Sequence, residues 1–354
     1  MTPRRRGLLR RGLAAGAWLA LPGRLPAQAQ AQPHGSAQGV APAEVVLATP
    51  GPGSAVSMVP ELALKIGADR AEGLALRLKF VNGGGVAIRE LNNGNAQCGV
   101  FGLPAAMHEN LAGPRLVALA ALEDRTPLSV MVRSDLKGTV RRVDDLRGRA
   151  LGVHSNTLTT LTTGQQFLVL VLRQAGVAED AVRFVPAGQS WDTQSAALRS
   201  RMVDAVVSEE PFGLRLEQAG LAFPLYRIGH PGDTGNLPGA GFLRGTLVAP
   251  RRLVDQHPEL AQRLVRMVQR TLAWRRGQAP EAVVAALGLA GPEAAAFSAM
   301  LAQYPQQFSA DGRFSAAQLA QTELFFRQSA GQSPETLAFR VADMVVDRWA
   351  GRKP

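Results

Sequence analysis

Short apolar runs alternate with stretches patterned at helical spacing over most of the chain, and this alternation restricts the fold more than any other feature. The runs are EVVLAT (44–49), LALRLKFV (74–81), AQCGVFGL (96–103), RLVALAALE (115–123), LSVMVRSD (128–135), RALGVH (149–154), VRFVPA (182–187), AVVSEEP (205–211), AFPLYRI (222–228) and RGTLVAP (244–250). Each is short enough for a strand and bounded by turn residues. Helical patterns fall between them at 61–73, 83–94, 104–113, 157–175, 191–201 and 211–219, while GPGSAVSMVP (51–60) reads as a loop. Strand–helix alternation of this kind predicts an α/β fold with mainly parallel sheets. The stretch GHPGDTGNLPGAG (229–241) is dense in Gly and Pro and suits a crossing between domains. Beyond residue 255 the chain reads as helical. Pro258 sits in a first turn, with Leu260, Leu264, Val268 and Leu272 at helical spacing behind it. A final helix is expected from Ser333-Pro334, its apolar face being Leu337, Val341, Met344, Val345 and Trp349.

A length of 354 residues exceeds what one small core needs and suggests two lobes. The net charge of +11 misleads, because six of the 39 Lys and Arg residues lie within the first 31 positions, which hold no acid. The remaining body is only mildly basic. It has no arginine-rich stripe with interleaved aromatics, so nucleic-acid binding is not expected. Residues 1–31 read as an export signal: RRRGLLRR is a charged start, GLAAGAWLALPG a short apolar core, and PAQAQAQ offers cleavage after Ala29 or Ala31. Arg5-Arg6 within it resembles a twin-arginine motif, with an ordinary secretory signal as the alternative. The apolar core is shorter than the ~20 residues a membrane span needs. Residues 32–42 read as a flexible leader. Cys98 is the only cysteine and falls in a buried run, which points to an inert thiol.

Several segments in their order, NGGGVAIRELNNGNAQCGVFGLPAAMHENLAG, DRTPLSVMVRSDL, VDDLRGRALGV, MVDAVVSEEPF and HPELAQRLVRMV, resemble periplasmic substrate-binding proteins of ABC importers. The resemblance is to the nitrate/sulfonate/taurine type, which includes binders of thiamine pyrimidine precursors, and it covers about residues 44–282. It implies a two-lobed periplasmic binding protein type II fold, each lobe a mainly parallel sheet flanked by helices, with the C-terminal helices on lobe 1. Lobe 1 would comprise 43–137 and 240–354, and lobe 2 138–239. LSVMVRS and RGTLVAP would pair beside the hinge. It further implies a periplasmic monomer that captures a small polar or anionic organic molecule, a sulfonate, carboxylate or heterocycle, and delivers it to an ABC permease in the inner membrane.

In open parallel sheets ligands bind beyond the carboxyl ends of strands, where helix N-termini present unpaired N–H groups. The run HSNTLTT follows such a strand, so Ser155, Asn156 and Thr157 are candidates to hold a polar or anionic group, or simply to cap the helix. By the same geometry Gly84 and Gly85, Leu103 and Pro104, and Ser54 and Ser57 would contribute from lobe 1. Ser190 and Trp191 precede a lobe 2 helix; Trp191 either covers a ligand face or packs between helices. One of Glu209 and Glu210 would face the cleft, the other reading being an acid at a helix N-terminus. Few arginines fall in these loops, Arg125 being the nearest.

The histidines at 34, 108, 154, 230 and 257 show no metal-ligand spacing, and neither a G-x-S-x-G elbow nor a phosphate-binding Gly-rich loop is present. No metal, no cofactor and no enzyme activity is therefore expected. The alternatives are a thiamine-pyrimidine-synthase-like enzyme of the same fold, for which Lys65 would be the cofactor lysine, and a sensory protein that presents ligand to a receptor.

Overall fold

The computed structural model describes residues 41–125, 127–154, 161–230 and 237–353. The export signal and leader, with the A-x-A sites at Ala29 and Ala31, lie outside them, as do Ser155, Asn156 and Thr157. In chain order the first elements are β1 (Ala43–Pro50), α1 (Ala55–Lys65), α2 (Ala68–Ala71), β2 (Leu74–Val81), α3 (Gly84–Asn92), β3 (Cys98–Gly102), α4 (Leu103–Asn110) and β4 (Leu116–Ala121). Then follow β5 (Leu128–Arg133), β6 (Ala150–Val153), α5 (Thr163–Gln174), β7 (Arg183–Pro186), α6 (Trp191–Arg199), β8 (Ala205–Glu209), α7 (Phe212–Gln218) and β9 (Ala222–Ile228). The chain returns through β10 (Gly245–Pro250), α8 (Arg251–Gln256), α9 (Pro258–Arg276), α10 (Pro280–Leu287), α11 (Gly291–Gln303), α12 (Ala316–Ser329) and α13 (Pro334–Ala338).

Every apolar run of the sequence becomes a strand, and the strands form two five-stranded sheets ordered β2-β1-β3-β10-β4 and β7-β6-β8-β5-β9. Pairing is parallel for β2-β1-β3 and β7-β6-β8. β10 runs antiparallel to β3 and β4, and β5 antiparallel to β8 and β9. The expected pairing of LSVMVRS with RGTLVAP does not occur. β5 belongs to the second sheet, so lobe 2 begins with Leu128 rather than at 138. The reason is burial on both faces: β5 is buried from Leu128 to Val132 and takes an inner place between β8 and β9. The chain thus passes between the lobes twice, between Glu123 and Leu128 and between Ile228 and Leu243.

The larger core unites the first sheet with α1–α4 and the C-terminal helices, while separate clusters fill lobe 2. α12 serves both lobes. Phe326 packs into the first core, and Phe325 into the second, where it stacks on Phe242 with centroids 4.0 Å apart.

Three local expectations fail. Residues 55–60 are helix, not loop: Ser54 caps α1 by accepting the Ser57 N–H, and burial of Val56, Met58 and Val59 outweighs Pro60 inside the helix. α5 begins at Thr163, not Thr157, because Thr162 is its cap and accepts the Gln165 N–H at 3.2 Å. The last α-helix stops at Ala338, and only a 3₁₀ turn follows at Val341–Met344 among the described residues. Val345 and Val346 instead bridge the edge strand β4, with Val346 N–H donating to the Ala118 carbonyl at 2.9 Å. An open sheet edge captures a β-branched pair more readily than a fraying helix holds it.

Candidate functional site

The carboxyl ends of β1 and β3 from one lobe face those of β6, β7 and β8 from the other. The chain is closed at this seam. A Cβ built on Gly102 would collide with Thr163 Oγ1, and one on Gly51 would lie 2.9 Å from the Ser190 Cβ. Between the lobes remains a cavity of about 10 Å³, lined by Gly84, Gly102 and Arg244 from lobe 1 and by His154, Thr162, Thr163 and Gln189 from lobe 2. That is room for about one water molecule. A groove of about 470 Å³ lies elsewhere, beside the crossovers, and takes in Asp124, Arg125, His230 and Gln318. Arg125 lines that groove and not the seam. We place the site at the seam, because a cleft between closed lobes loses its volume while keeping its chemistry.

The seam is dominated by a buried charge cluster. Arg244, at the start of β10, is 3% exposed and lies 3.2 Å from the Glu123 carboxylate at the end of β4. From the opposite lobe Glu209, at the end of β8, makes an ion pair with the same guanidinium. Gln307 donates to Glu123 at 2.9 Å, and Gln189 donates to Glu209 at 2.8 Å. Every member is buried, so each charge depends on these partners in place of water. His154 lies alongside. Its Nε2 is 2.8 Å from the Val207 carbonyl, which fixes Nε2 as the donor and leaves Nδ1 as an acceptor. Burial, aided by the positive charge of Arg244, pushes its pKa down to about 3, so the ring is neutral. Thr163 Oγ1 is buried and has no hydrogen-bond partner among the described residues.

Two further contacts tie the lobes. Gln166 of α5 donates to the Pro104 carbonyl at 3.0 Å and accepts from Ser329 of α12 at 3.0 Å. The Ala55 N–H donates to the Glu210 carbonyl at 3.3 Å.

The structure distributes the candidate residues unevenly. Gly84 lines the cavity and Glu209 borders it through Arg244. Gly83, at φ 124°, supplies the backbone that only glycine adopts freely as α3 begins, and Gly85 is buried in the first turn. Leu103 and Pro104 start α4, where the carbonyl of Pro104 meets Gln166. Ser54 and Ser57 are satisfied within their own loop, Ser57 Oγ reaching the Gly51 carbonyl at 3.2 Å and the Glu61 carboxylate. Ser190 caps α6, and Trp191 is stacked by Arg215, 4.1 Å from its ring centroid. Of the two carboxylates, Glu209 turns to the seam. Glu210 turns into lobe 2, accepts the Leu214 N–H at 2.9 Å and lies 3.6 Å from His230. Burial raises its pKa to about 7. Sequence reasoning missed Arg244, Glu123, His154, Thr162, Thr163, Gln166 and Gln189. The signal for Thr162 was available, since Thr162-x-x-Gln165 fits the S/T-x-x-E/Q start of a helix.

Two α/β lobes joined by two crossovers, with polar side chains gathered at the seam, define a two-lobed protein of the periplasmic binding protein fold. The chain belongs to the NMT1/THI5 like family, whose model matches residues 70–282. Among solved structures, a protein from Bordetella bronchiseptica RB50 is 21% identical with a TM-score of 0.78, over 87% of this chain and 96% of that one. The alkanesulfonate-binding protein SsuA from Xanthomonas axonopodis pv. citri, bound to MOPS, is 19% identical with a TM-score of 0.67, over 87% and 99%. The desulfurization enzyme DSZB is 19% identical with a TM-score of 0.55, over 87% and 97%. No curated protein sequence matches the chain.

Proposed function

We propose that the chain is an exported solute-binding protein that captures a small polar organic molecule between its lobes and delivers it to an ABC importer. The observation that carries this reading is the seam. Glu123, Gln189, Glu209, His154 and Thr163 follow the carboxyl ends of their strands, Arg244 precedes the antiparallel β10 at the same edge, and the six converge from two lobes. Opening about the two crossovers would expose these groups, and closure would bury a ligand among them. Family membership and the sulfonate-binding relative support the same class, and the charged start of the chain supports export to the periplasm. The protein acts as a monomer in this reading.

The fold also carries catalysis in DSZB, so an enzyme is the competing reading. Lys65 does not favour it: it is exposed at the C-terminal end of α1, while the seam meets the N-terminal end. Cys98 is buried in β3, where burial pushes its thiol up to about 12, which removes it as a nucleophile.

The test is to purify the protein natively, release its ligand by denaturation, identify it by mass spectrometry and titrate it back. Stoichiometric binding of an unchanged molecule is expected, together with loss of its uptake in a deletion strain. Conversion of the molecule would establish an enzyme. Intact uptake with a lost transcriptional response would establish a sensor.

A further inference from the structure

The charges at the seam restrict what can enter it. Arg244 is the cationic member of the cluster, and two carboxylates, Glu123 and Glu209, press on it. His154 adds no charge. Two carboxylates therefore face one guanidinium, out of reach of solvent. Glu123 is satisfied within lobe 1 by Arg244 and Gln307. Glu209 is anchored within lobe 2 by Gln189 and reaches across to Arg244.

When the lobes part, Arg244 and Glu123 leave together as a neutral pair, and Glu209 leaves with the other lobe. A ligand seated between them meets guanidinium N–H groups on one side and a carboxylate on the other. It must accept hydrogen bonds from Arg244 and donate one to Glu209. A simple oxyanion meets only the first demand. It would also be buried against a carboxylate, and like-charge juxtaposition at a closed interface is strongly disfavoured. The remaining groups agree with this division: His154 Nδ1 accepts, and the Thr163 hydroxyl can donate or accept.

We infer that Glu209 is the specificity-determining residue of the cleft, and that it selects a ligand with no net negative charge carrying an acceptor beside an N–H or O–H donor. An amide, a ureido group, an aminated heterocycle or a zwitterion satisfies this; a bare sulfonate, nitrate or carboxylate does not. The inference rests on the seam being the ligand site.

The experiment compares wild type with Glu209→Gln, and with Glu209→Asn should the first fail to fold, by calorimetric titration. Ethanesulfonate is the anionic probe and acetamide the neutral donor–acceptor probe, at matched ionic strength. Removing the carboxylate should raise ethanesulfonate affinity at least tenfold, about 1.4 kcal/mol. Acetamide affinity should not rise. A wild type that binds ethanesulfonate as tightly as the variant overturns the inference, and so does a variant that gains nothing. The Arg244→Gln variant separates this failure from failure of the proposed function. If binding of the probes or of the natively released ligand is indifferent to both Arg244 and Glu209, the seam is not the ligand site.

Discussion

Replacing His154 by Gln should abolish a defined part of the acid sensitivity of the fold. His154 is 2% exposed, donates to the Val207 carbonyl at 2.8 Å, and has a pKa held near 3 by burial and by Arg244. In the unfolded chain the same imidazole titrates near 6.5. Between those values the unfolded state binds a proton that the native state refuses, so stability falls as pH falls below about 6.5 and is fully retained above it. Each pH unit contributes about 1.36 kcal/mol, so lowering pH from 6.5 to 4.5 should cost wild type roughly 2–3 kcal/mol through this residue. Gln has no proton to gain, and its amide can still donate to Val207. His230, whose pKa burial lowers to about 4, acts in the same direction in both proteins and cancels in the difference. Urea unfolding at pH 7.5, 6.5, 5.5 and 4.5 gives the comparison. The wild-type advantage should shrink by those 2–3 kcal/mol across the range. A difference independent of pH would refute the argument, because it would mean that the native ring takes up its proton as easily as the unfolded one.

Glu210 should behave in the opposite sense. Its pKa is raised to about 7, so its ionisation opposes folding as pH rises from about 4.5 to 7, and Glu210→Gln should gain roughly 2–3 kcal/mol on wild type over that interval in the same assay. Gly102→Ala should leave the fold intact, because Gly102 sits at φ −66°, ψ 124°, but should hold the lobes apart, since the new Cβ would fall on Thr163. Small-angle scattering should show a larger radius of gyration than wild type, and an unchanged radius would refute the closed seam. Thr162→Ala should lower stability by about 1 kcal/mol, the value of a helix cap; a melt that does not move would show that Thr162 caps nothing.

The strands were legible because each combines an apolar run with turn residues on both sides, a local property that needs no partner. The sheet order was not legible, and the one pairing that the resemblance implied, LSVMVRS with RGTLVAP, failed at β5. LSVMVR reads the same whether it lies beside β8 or β10, because a strand buried on both faces does not name its neighbour. The start of α5 failed for a related reason. Ser155, Asn156, Thr157 and Thr162 are all competent caps, and only the fold shows that the helix begins at Thr163. Likewise the apolar spacing from Leu337 to Trp349 is helical, but the open edge of β4 recruits Val345 and Val346.

The cleft was less legible than the strands because its chemistry is spread over distant parts of the chain. Glu123, Gln189, Glu209, Arg244 and Gln307 approach one another only after two sheets form and two crossovers bring them together. Yet each charged member carried a mark. Arg244 stands between GFL and GTLVAP, Glu123 ends VALAAL, and Glu209 follows AVVS. A charge at the end of a run destined for the interior must find a buried partner, since leaving it alone would cost several kcal/mol. Which of these charges meet is decided by the fold, which brings one guanidinium against two carboxylates. Loops rich in hydroxyls drew attention to hydrogen-bonding capacity, which many turns possess for their own needs. The end of a buried strand is where a charge is too costly to keep without a use, and at the seam that use is to choose between a ligand that can donate and one that cannot.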